Sequence, residues 1–428
     1  MLRKEQNELI TRTDAGTPMG ELFRRYWLPA LLASELPEND CPPLRVKILG
    51  ENLLALRDTQ GRYGLVEEFC PHRRVSLWFG RNEECGIRCS YHGWKFDVTG
   101  KCVDIPSEPE DSPARKRVRL KAYPLVKIGR VLWTYMGPPE SQPGPPQFEF
   151  ATVADTQSYV SRRWQECNYL QAMEGGIDSS HVGWLHKVTI ESDPLFQGTK
   201  GNEYTLKDAR VHFEVVEQPA GLYIGARRSA ENGNHYWRIT TWVMPYYTQI
   251  PPRGDHPVHG HFWVPMDDEN CMAWSYDFHP VRALTPREVK AMDDGEGIHV
   301  RLDPTTLRPF ANKDNDYLMD RAGQKGGKTY SGVEGFAMQD ASLQESMGPI
   351  IDRTRENLVP TDMGIVIARR QLMAAASALV EKGALPPGRE PETHLIRSAS
   401  LVLPPGKPFV EAAGEALRVR KGERHASV

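Results

Sequence analysis

The hydrophobic pattern changes character along the chain. From Leu44 to Trp133 apolar residues come in short runs, Arg45-Val-Lys-Ile-Leu, Leu53-Leu-Ala-Leu and Val131-Leu-Trp-Thr-Tyr. Gly50-Glu-Asn and Gln60-Gly-Arg interrupt them. Short runs with such breaks predict strands joined by tight turns. Before them, residues 8–30 read as partly helical, with Thr17-Pro18 as N-cap and first helical position. Gly137-Pro-Pro-Glu-Ser-Gln-Pro-Gly-Pro-Pro146 reads as a linker. Beyond it, Asn168 to Val188 is helix or loop. Five strand candidates follow, Val211–Val216, Leu222–Arg227, His235–Met244, His259–Val264 and Cys271–Phe278. Turn residues between them suggest an antiparallel meander. Residues 284–335, rich in Gly, Asp, Lys and Asn, predict a mobile loop and a possible lid. Gln339–Glu356 and Pro360–Lys382 predict helices. The expected class is α+β: a helical segment over 1–25, a small all-β domain over 26–138 and a larger sheet-and-helix domain over 139–428.

Composition narrows this picture. A chain of 428 residues has room for two or more cores, and a net charge of −3 points to neither nucleic acid nor membrane. The seven Cys are an odd number and scattered, which fits a reducing compartment better than a disulfide framework. Met1-Leu-Arg-Lys-Glu-Gln-Asn-Glu has no apolar signal core, and no long apolar run predicts a membrane span. The expectation is a cytoplasmic protein. The basic run Arg115-Lys-Arg-Val-Arg-Leu-Lys121 reads as a charged edge strand ahead of a docking patch.

The strongest chemical signal is Cys70-Pro-His72, sixteen residues, then Cys89-Ser-Tyr-His92-Gly-Trp. Each short loop offers one thiolate and one imidazole. That set suits a [2Fe-2S] cluster with Cys on one iron and His on the other, a ligation that raises the reduction potential. Structural zinc is the alternative, but zinc fingers usually pair Cys with Cys and His with His. Cys41, Cys85 and Cys102 read as small buried residues.

A second constellation is Asp178-Ser-Ser-His181-Val-Gly-Trp-Leu-His186. Two His and one carboxylate are the donors of the facial triad that leaves positions open on Fe(II). On a continuous helix Asp178 and His181 share a face, whereas His186 does not. Both His reach one metal only if the helix ends or takes a π-type insertion near Gly183. The third donor is open at this level among Asp316, Asp320, Asp340, Glu345 and Asp352.

Together the two motifs resemble the Rieske non-haem iron ring-hydroxylating oxygenases, terminal oxygenase α subunit. Gly16-Thr-Pro-Met-Gly, Arg24-Arg-Tyr-Trp-Leu-Pro, Asn168-Tyr-Leu-Gln-Ala-Met-Glu-Gly-Gly-Ile-Asp178 and Gln339-Asp-x4-Glu-Ser-Met-Gly look most like the phthalate 4,5-dioxygenase branch. The resemblance implies a helix-grip fold for the second domain. It implies Cys70, His72, Cys89 and His92 as cluster ligands, and His181, His186 and Asp340 on a mononuclear Fe(II). Asp178 would instead bridge His92 of a neighbouring subunit to an iron-bound His, which implies a homotrimer or a dimer of trimers. It also implies O2 as co-substrate, and NADH electrons delivered by a separate reductase. Arg73, Arg74 and Arg88 are candidates to dock that reductase.

The implied reaction is cis-dihydroxylation of an aromatic carboxylate. O-demethylation of methoxylated aromatic acids on the same scaffold is the close alternative, and a Rieske electron carrier the distant one. An apolar pocket holding a carboxylate calls for an Arg fork. The candidates are Arg238, then Arg228, with Arg227 on the opposite strand face.

Overall fold

Thr17 accepts a hydrogen bond from the Gly20 amide at 3.1 Å and Pro18 takes the first turn, so helix Pro18–Phe23 starts where the sequence places it. A slightly longer helix, Lys4–Thr11, precedes it. The computed structural model describes residues 1–208 and 210–428. The partly helical reading of 8–30 holds as far as Phe23, and Trp27–Leu32 is a strand paired with Val131–Tyr135. Pro29 cannot donate to a ladder, and the register shifts between it and Leu31.

The N-terminal part has three small sheets. One joins Trp27–Leu32, Val131–Tyr135 and Leu125–Ile128. The second runs through Leu44–Ile48, Glu51–Arg57, Tyr63–Glu67 and Ala122–Tyr123. The third, Arg81–Glu83, Gly86–Arg88, Lys95–Phe96 and Cys102–Asp104, flanks both Cys/His loops. Around it Leu54, Leu56, Val66, Leu77, Ile87 and Phe96 form a core of their own. The first sheet instead shares its core with the second domain, where Trp133, Phe148 and Phe262 pack together. The basic run is not an edge strand: Ala114–Arg117 is a helical turn, with Arg115 bonded to Asp104 at 3.3 Å.

The second domain carries an antiparallel sheet in the order Ser158–Gln165, Cys271–Phe278, Val258–Pro265, Tyr247–Gln249, His235–Val243, Gly221–Ser229, His212–Gln218. Ala399–Leu403 adds to His235–Val243. The meander is as expected. The strands Ser158–Gln165, Tyr247–Gln249 and Ala399–Leu403 lie outside the predicted set.

Helix Tyr169–Ile177 lies on this sheet, and Gly175-Gly176 makes the approach possible. A Cβ on Gly176 would stand 2.0 Å from Trp263 Cη2, and one on Gly175 2.2 Å from Gln344 Nε2. The helix stops at Ile177, and His181–Gly183 is a separate 3-10 turn. The break comes from termination, not from a π-type insertion.

Three further expectations need correction. Residues 284–335 contain helix Pro286–Asp293, opened by a Thr285/Glu288 capping box, and helix Arg321–Gly326. The predicted helix from Gln339 is Phe336–Ser346, ending just before Gly348 at φ +91°. Cys85 is half-exposed at φ +65°, whereas Cys41 and Cys102 are buried. Among the described residues one helix, Pro360–Lys382, is long and apolar enough to cross a membrane by length and composition. Within the protein its Arg369 is buried on Glu174 (2.6 Å) and Glu356 (2.6 Å), which marks it as a core helix.

Candidate functional site

The two Cys/His loops are built alike. The amide of Cys70 donates to Val75 O at 2.9 Å and that of Arg74 to Cys70 O at 2.9 Å. In the second loop the Cys89 amide donates to Trp94 O at 2.8 Å and the Gly93 amide to Cys89 O at 3.0 Å. Each loop turns through a left-handed residue four positions after its Cys, Arg74 at φ +60° and Gly93 at φ +74°. Backbone pairing thus presents the two thiols and two imidazoles in matched pairs. Cys70 and Cys89 point inward and are buried, while His72 is exposed and His92 half-buried. Burial pushes the Cys70 thiol up to about 11. The His72 and His92 rings sit 4.5 Å apart, with Trp94 stacked on His72 at 4.5 Å.

Around this tip Trp78, Phe79 and Tyr91 are exposed, with Arg45 over Trp78 and Arg73 over Tyr91. Arg88 is engaged as a brace, bonding Gly93 O and Asp104 at 2.8 Å each. Arg74 bonds Glu67.

The second site assembles from two distant segments. Among the described residues, His181, His186 and Asp340 are the group with donor atoms close enough for one ion, all within 4.8 Å of one another. Asp340 Oδ1 stands 3.1 Å from His186 Nε2 and 3.5 Å from His181 Nε2. Neighbours fix the tautomers. Gln339 Nε2 donates to Thr189 Oγ1 at 2.8 Å and Val333 O at 3.2 Å, so its Oε1 faces His186 and accepts from Nδ1 at 2.8 Å. Asp178 Oδ2 accepts from His181 Nδ1 at 3.1 Å. With each Nδ1 engaged in this way, both rings turn Nε2 toward Asp340, the nitrogen left to face a metal. Phe336 stacks on His186 at 3.6 Å and holds its plane.

Asp178 caps the end of helix Tyr169–Ile177 and accepts from the Ser180 amide (2.7 Å) and Oγ (2.6 Å). Burial opposes its charge, but His181 and Ser180 outweigh that and hold the carboxyl down at about 2. Its side chain keeps 20% exposure. Of the other candidate carboxylates, Asp316 is exposed and three are engaged elsewhere. Glu345 takes the Tyr317 hydroxyl at 2.7 Å, Asp320 caps Arg321–Gly326, and Asp352 holds the Thr354 turn.

The cavity beside the triad has about 50 Å³ of free space and is lined by Asp178, His181, Asp340, Arg163, Arg238 and Arg253, with Trp263 and Phe336 among its apolar walls. Arg238, the first of the arginines expected from the sequence to meet a substrate, lines this cavity. Arg228 is buried behind it, donating to Ser179 O (3.3 Å) and Asp208 O (3.2 Å), and does not line the cavity. Neither is the surface ion-paired residue that an arginine on a strand suggests. Sequence reasoning missed Gln339, Arg163, Arg253 and His261 as site residues. His261 donates from Nδ1 to Ser275 Oγ (3.2 Å), because that hydroxyl gives its own proton to Ile298 O (3.0 Å). Burial and Arg163 keep the ring neutral, at about 3.

Comparison with known proteins agrees with both halves. Residues 26–124 match the Rieske [2Fe-2S] domain and residues 134–399 the LigXa C-terminal domain like family. The chain is 36% identical to the 3-chlorobenzoate-3,4-dioxygenase oxygenase subunit of Comamonas testosteroni over 91% of its length and 92% of that protein's. It is 36% identical to the phthalate 4,5-dioxygenase oxygenase subunit of Pseudomonas putida, covering 88% of this chain and 87% of that one. Against the 5,5'-dehydrodivanillate O-demethylase oxygenase subunit of Sphingobium sp. identity is 32%, over 87% and 80%. Among solved structures, dicamba monooxygenase bound to dicamba shares the fold with a TM-score of 0.58 at 19% identity, covering 84% of this chain and 99% of that one. The chain belongs to the Rieske oxygenases, as an oxygenase subunit of the aromatic dioxygenase and demethylase group. It is an oxidoreductase.

Proposed function

We propose that the protein hydroxylates an aromatic carboxylate, with O2 as co-substrate and with NADH electrons supplied by a separate reductase. The observation that carries the substrate class is Arg238, buried, unpartnered at Nε, and facing the same cavity as His181 and Asp340. A guanidinium in that position recognises a carboxylate and sets the ring beside the triad.

His181, His186 and Asp340 would hold one Fe(II), and Cys70, His72, Cys89 and His92 a [2Fe-2S] cluster. The donor chemistry fits both: neutral imidazoles with a carboxylate in one, thiols with imidazoles in the other. When bound, these groups supply single-electron delivery and dioxygen activation. The protein's part is to orient. Gln339 and Asp178 fix the two imidazoles, and Trp263 with Phe336 keeps the cavity wall apolar. Free space of 50 Å³ is less than an aromatic ring fills, so the substrate enters as the arginine heads and apolar walls part.

Asp178 has carboxylate lone pairs to spare and solvent access, which suits it to accept a hydrogen bond from His92 of a second copy. That role calls for more than one copy in the working unit, and we propose the homotrimer or dimer of trimers that the family resemblance implies. The exposed aromatic tip around His72 and His92 is the surface that such a contact, or a reductase, would cover. We place the protein in the cytoplasm.

The test is turnover with a reductase and NADH across a panel of aromatic acids, scored as product per NADH. A cis-diol identifies dioxygenation. Formaldehyde from a methoxylated acid identifies demethylation, the activity named in the 32% identical Sphingobium relative. Three irons per chain are expected. Two irons, with His181→Ala changing nothing, would refute the oxygenase site.

A further inference from the structure

Gln344 stands one helical turn beyond Asp340 in helix Phe336–Ser346, and both line the cavity beside the triad. Residues four apart share a helix face, with their Cβ atoms about 5–6 Å apart. Gln344 is 9% exposed and is held by two other glutamines. Gln165 Nε2 donates to its side-chain Oε1 at 2.7 Å, and Gln171 Nε2 donates to its main-chain O at 2.9 Å. Both partners are buried. Gln171 is itself anchored, donating to Gly348 O at 2.8 Å and accepting from the Ile351 amide at 3.1 Å. Because Oε1 is taken by a donor, the amide plane is set and Nε2 is left for the other side. Among the described residues Gln344 Nε2 donates to no acceptor.

A second observation comes from the facing helix. Gly175 lies inside helix Tyr169–Ile177, a place where glycine is a poor helix former. A Cβ there would stand 2.2 Å from Gln344 Nε2 and 3.3 Å from its Cδ. The space that a larger residue would fill is the space the amide occupies. A buried N–H without an acceptor is costly, yet the fold gives up helix propensity to make room for one. A conflict of this kind between local preference and the whole structure marks functional positions.

We propose that Gln344 is a further catalytic residue: its Nε2–H donates a hydrogen bond to the dioxygen that occupies the open face of the His181, His186 and Asp340 triad. The role rests on the oxygenase reading given above. A donor fixed in advance stabilises negative charge as it develops on that oxygen, with no reorganisation at the moment of reaction. An amide does so without surrendering a proton, and it keeps the oxygen beside the substrate. Where that hold fails, NADH, H+ and O2 give NAD+ and H2O2, with the electrons passing through the reductase and the substrate left untouched.

Nitric oxide serves as the probe in place of dioxygen. The test is its anaerobic titration into the Fe(II) holoenzyme, followed by electron paramagnetic resonance, with iron content measured first. Loss of one hydrogen bond should weaken nitric oxide binding about tenfold in Gln344→Leu. The H2O2 released per NADH should rise in the same variant. Gln344→Glu keeps the bond from Gln165 and loses the donor, so its affinity should fall as well. Gly175→Ala sets a Cβ against Nε2 and should act in the same direction, although alanine is the better helix former. The affinity of the triad for iron should stay at the wild-type value, because the donor meets the gas and not Asp340. Wild-type nitric oxide affinity in folded, iron-loaded Gln344→Leu or Gln344→Glu overturns the proposal. A parallel fall in iron affinity also overturns it, by making Gln344 a prop for Asp340. If Gln344→Leu fails to fold, Gly175→Ala decides by the same reading. Iron content separates the two levels: a triad that takes up no iron refutes the oxygenase site and this role with it, whereas a loaded triad with unchanged nitric oxide affinity refutes the role of Gln344 alone.

Discussion

The two Cys/His loops and the His/His/Asp triad each hold a set of donor side chains in place, by different means. In the loops the backbone does it. Two matched turns, each closed by a pair of main-chain hydrogen bonds, fix four ligands that lie within 23 residues, from Cys70 to His92. In the triad side chains do it. Asp340 comes 154 residues after His186, and Gln339, Asp178 and Phe336 orient the rings. The loops project an exposed tip, whereas the triad sits beside a cavity that is nearly full. Backbone-held donors tolerate change in their neighbours; side-chain-held donors depend on each neighbour singly.

The largest expected effects come from removing ligands, and they separate the sites cleanly. Cys89→Ser should abolish the visible absorption of the cluster and all coupled turnover, while one iron per chain stays with the triad. Asp340→Ala should do the reverse, keeping two irons and the cluster spectrum with turnover lost. Iron quantitation with absorption spectra reads both. If either variant empties both sites, the two centres are not independently built.

That contrast also explains what was legible in the sequence. Cys70, His72, Cys89 and His92 stand out because their donors are near neighbours and the enclosing strands are short runs between glycines. His181 and His186 stand out as a pair, but nothing in spacing selects Asp340 over Asp316 or Glu345; the resemblance to a family did that. The pairing of remote segments is a property of the folded sheet and helices. Arg163 was lost for another reason. Its strand, Ser158–Gln165, places Arg162 and Arg163 side by side, and adjacent charges read as surface. Both are buried. Arg162 is tied to Glu35 at 2.9 Å, and Arg163 is turned to the cavity. The helices in 284–335 were hidden by their polar composition, though the Thr285/Glu288 capping box was there to be read.

A smaller effect sharpens the dependence on single neighbours. Gln339→Ala should cost 10- to 100-fold in affinity for the triad iron, because the His186 tautomer is no longer enforced. The cluster should keep its spectrum and potential. Chelator titration of iron, with the cluster absorbance as internal control, measures this. An unchanged iron affinity would show that packing by Phe336 alone suffices to hold the ring.

The smallest effects probe the matched turns, where one loop has glycine and the other does not. Gly93 is at φ +74° and a Cβ there would meet Pro106 Cγ at 2.9 Å. Gly93→Ala should therefore destabilise the cluster domain by about 1–3 kcal/mol. Arg74 occupies the equivalent turn at φ +60°. Relief of left-handed strain in Arg74→Gly is worth about 1 kcal/mol. Against it stand the added freedom of glycine in the unfolded chain, about 0.5–1 kcal/mol, and the loss of a surface pair with Glu67, at most about 1 kcal/mol. The terms nearly cancel, so Arg74→Gly should shift stability by less than about 1 kcal/mol. Thermal unfolding of the two variants side by side reads the difference. A large loss from Arg74→Gly would mean that its side chain, not its backbone, holds the first loop, and the likeness between the two turns would then be one of shape only.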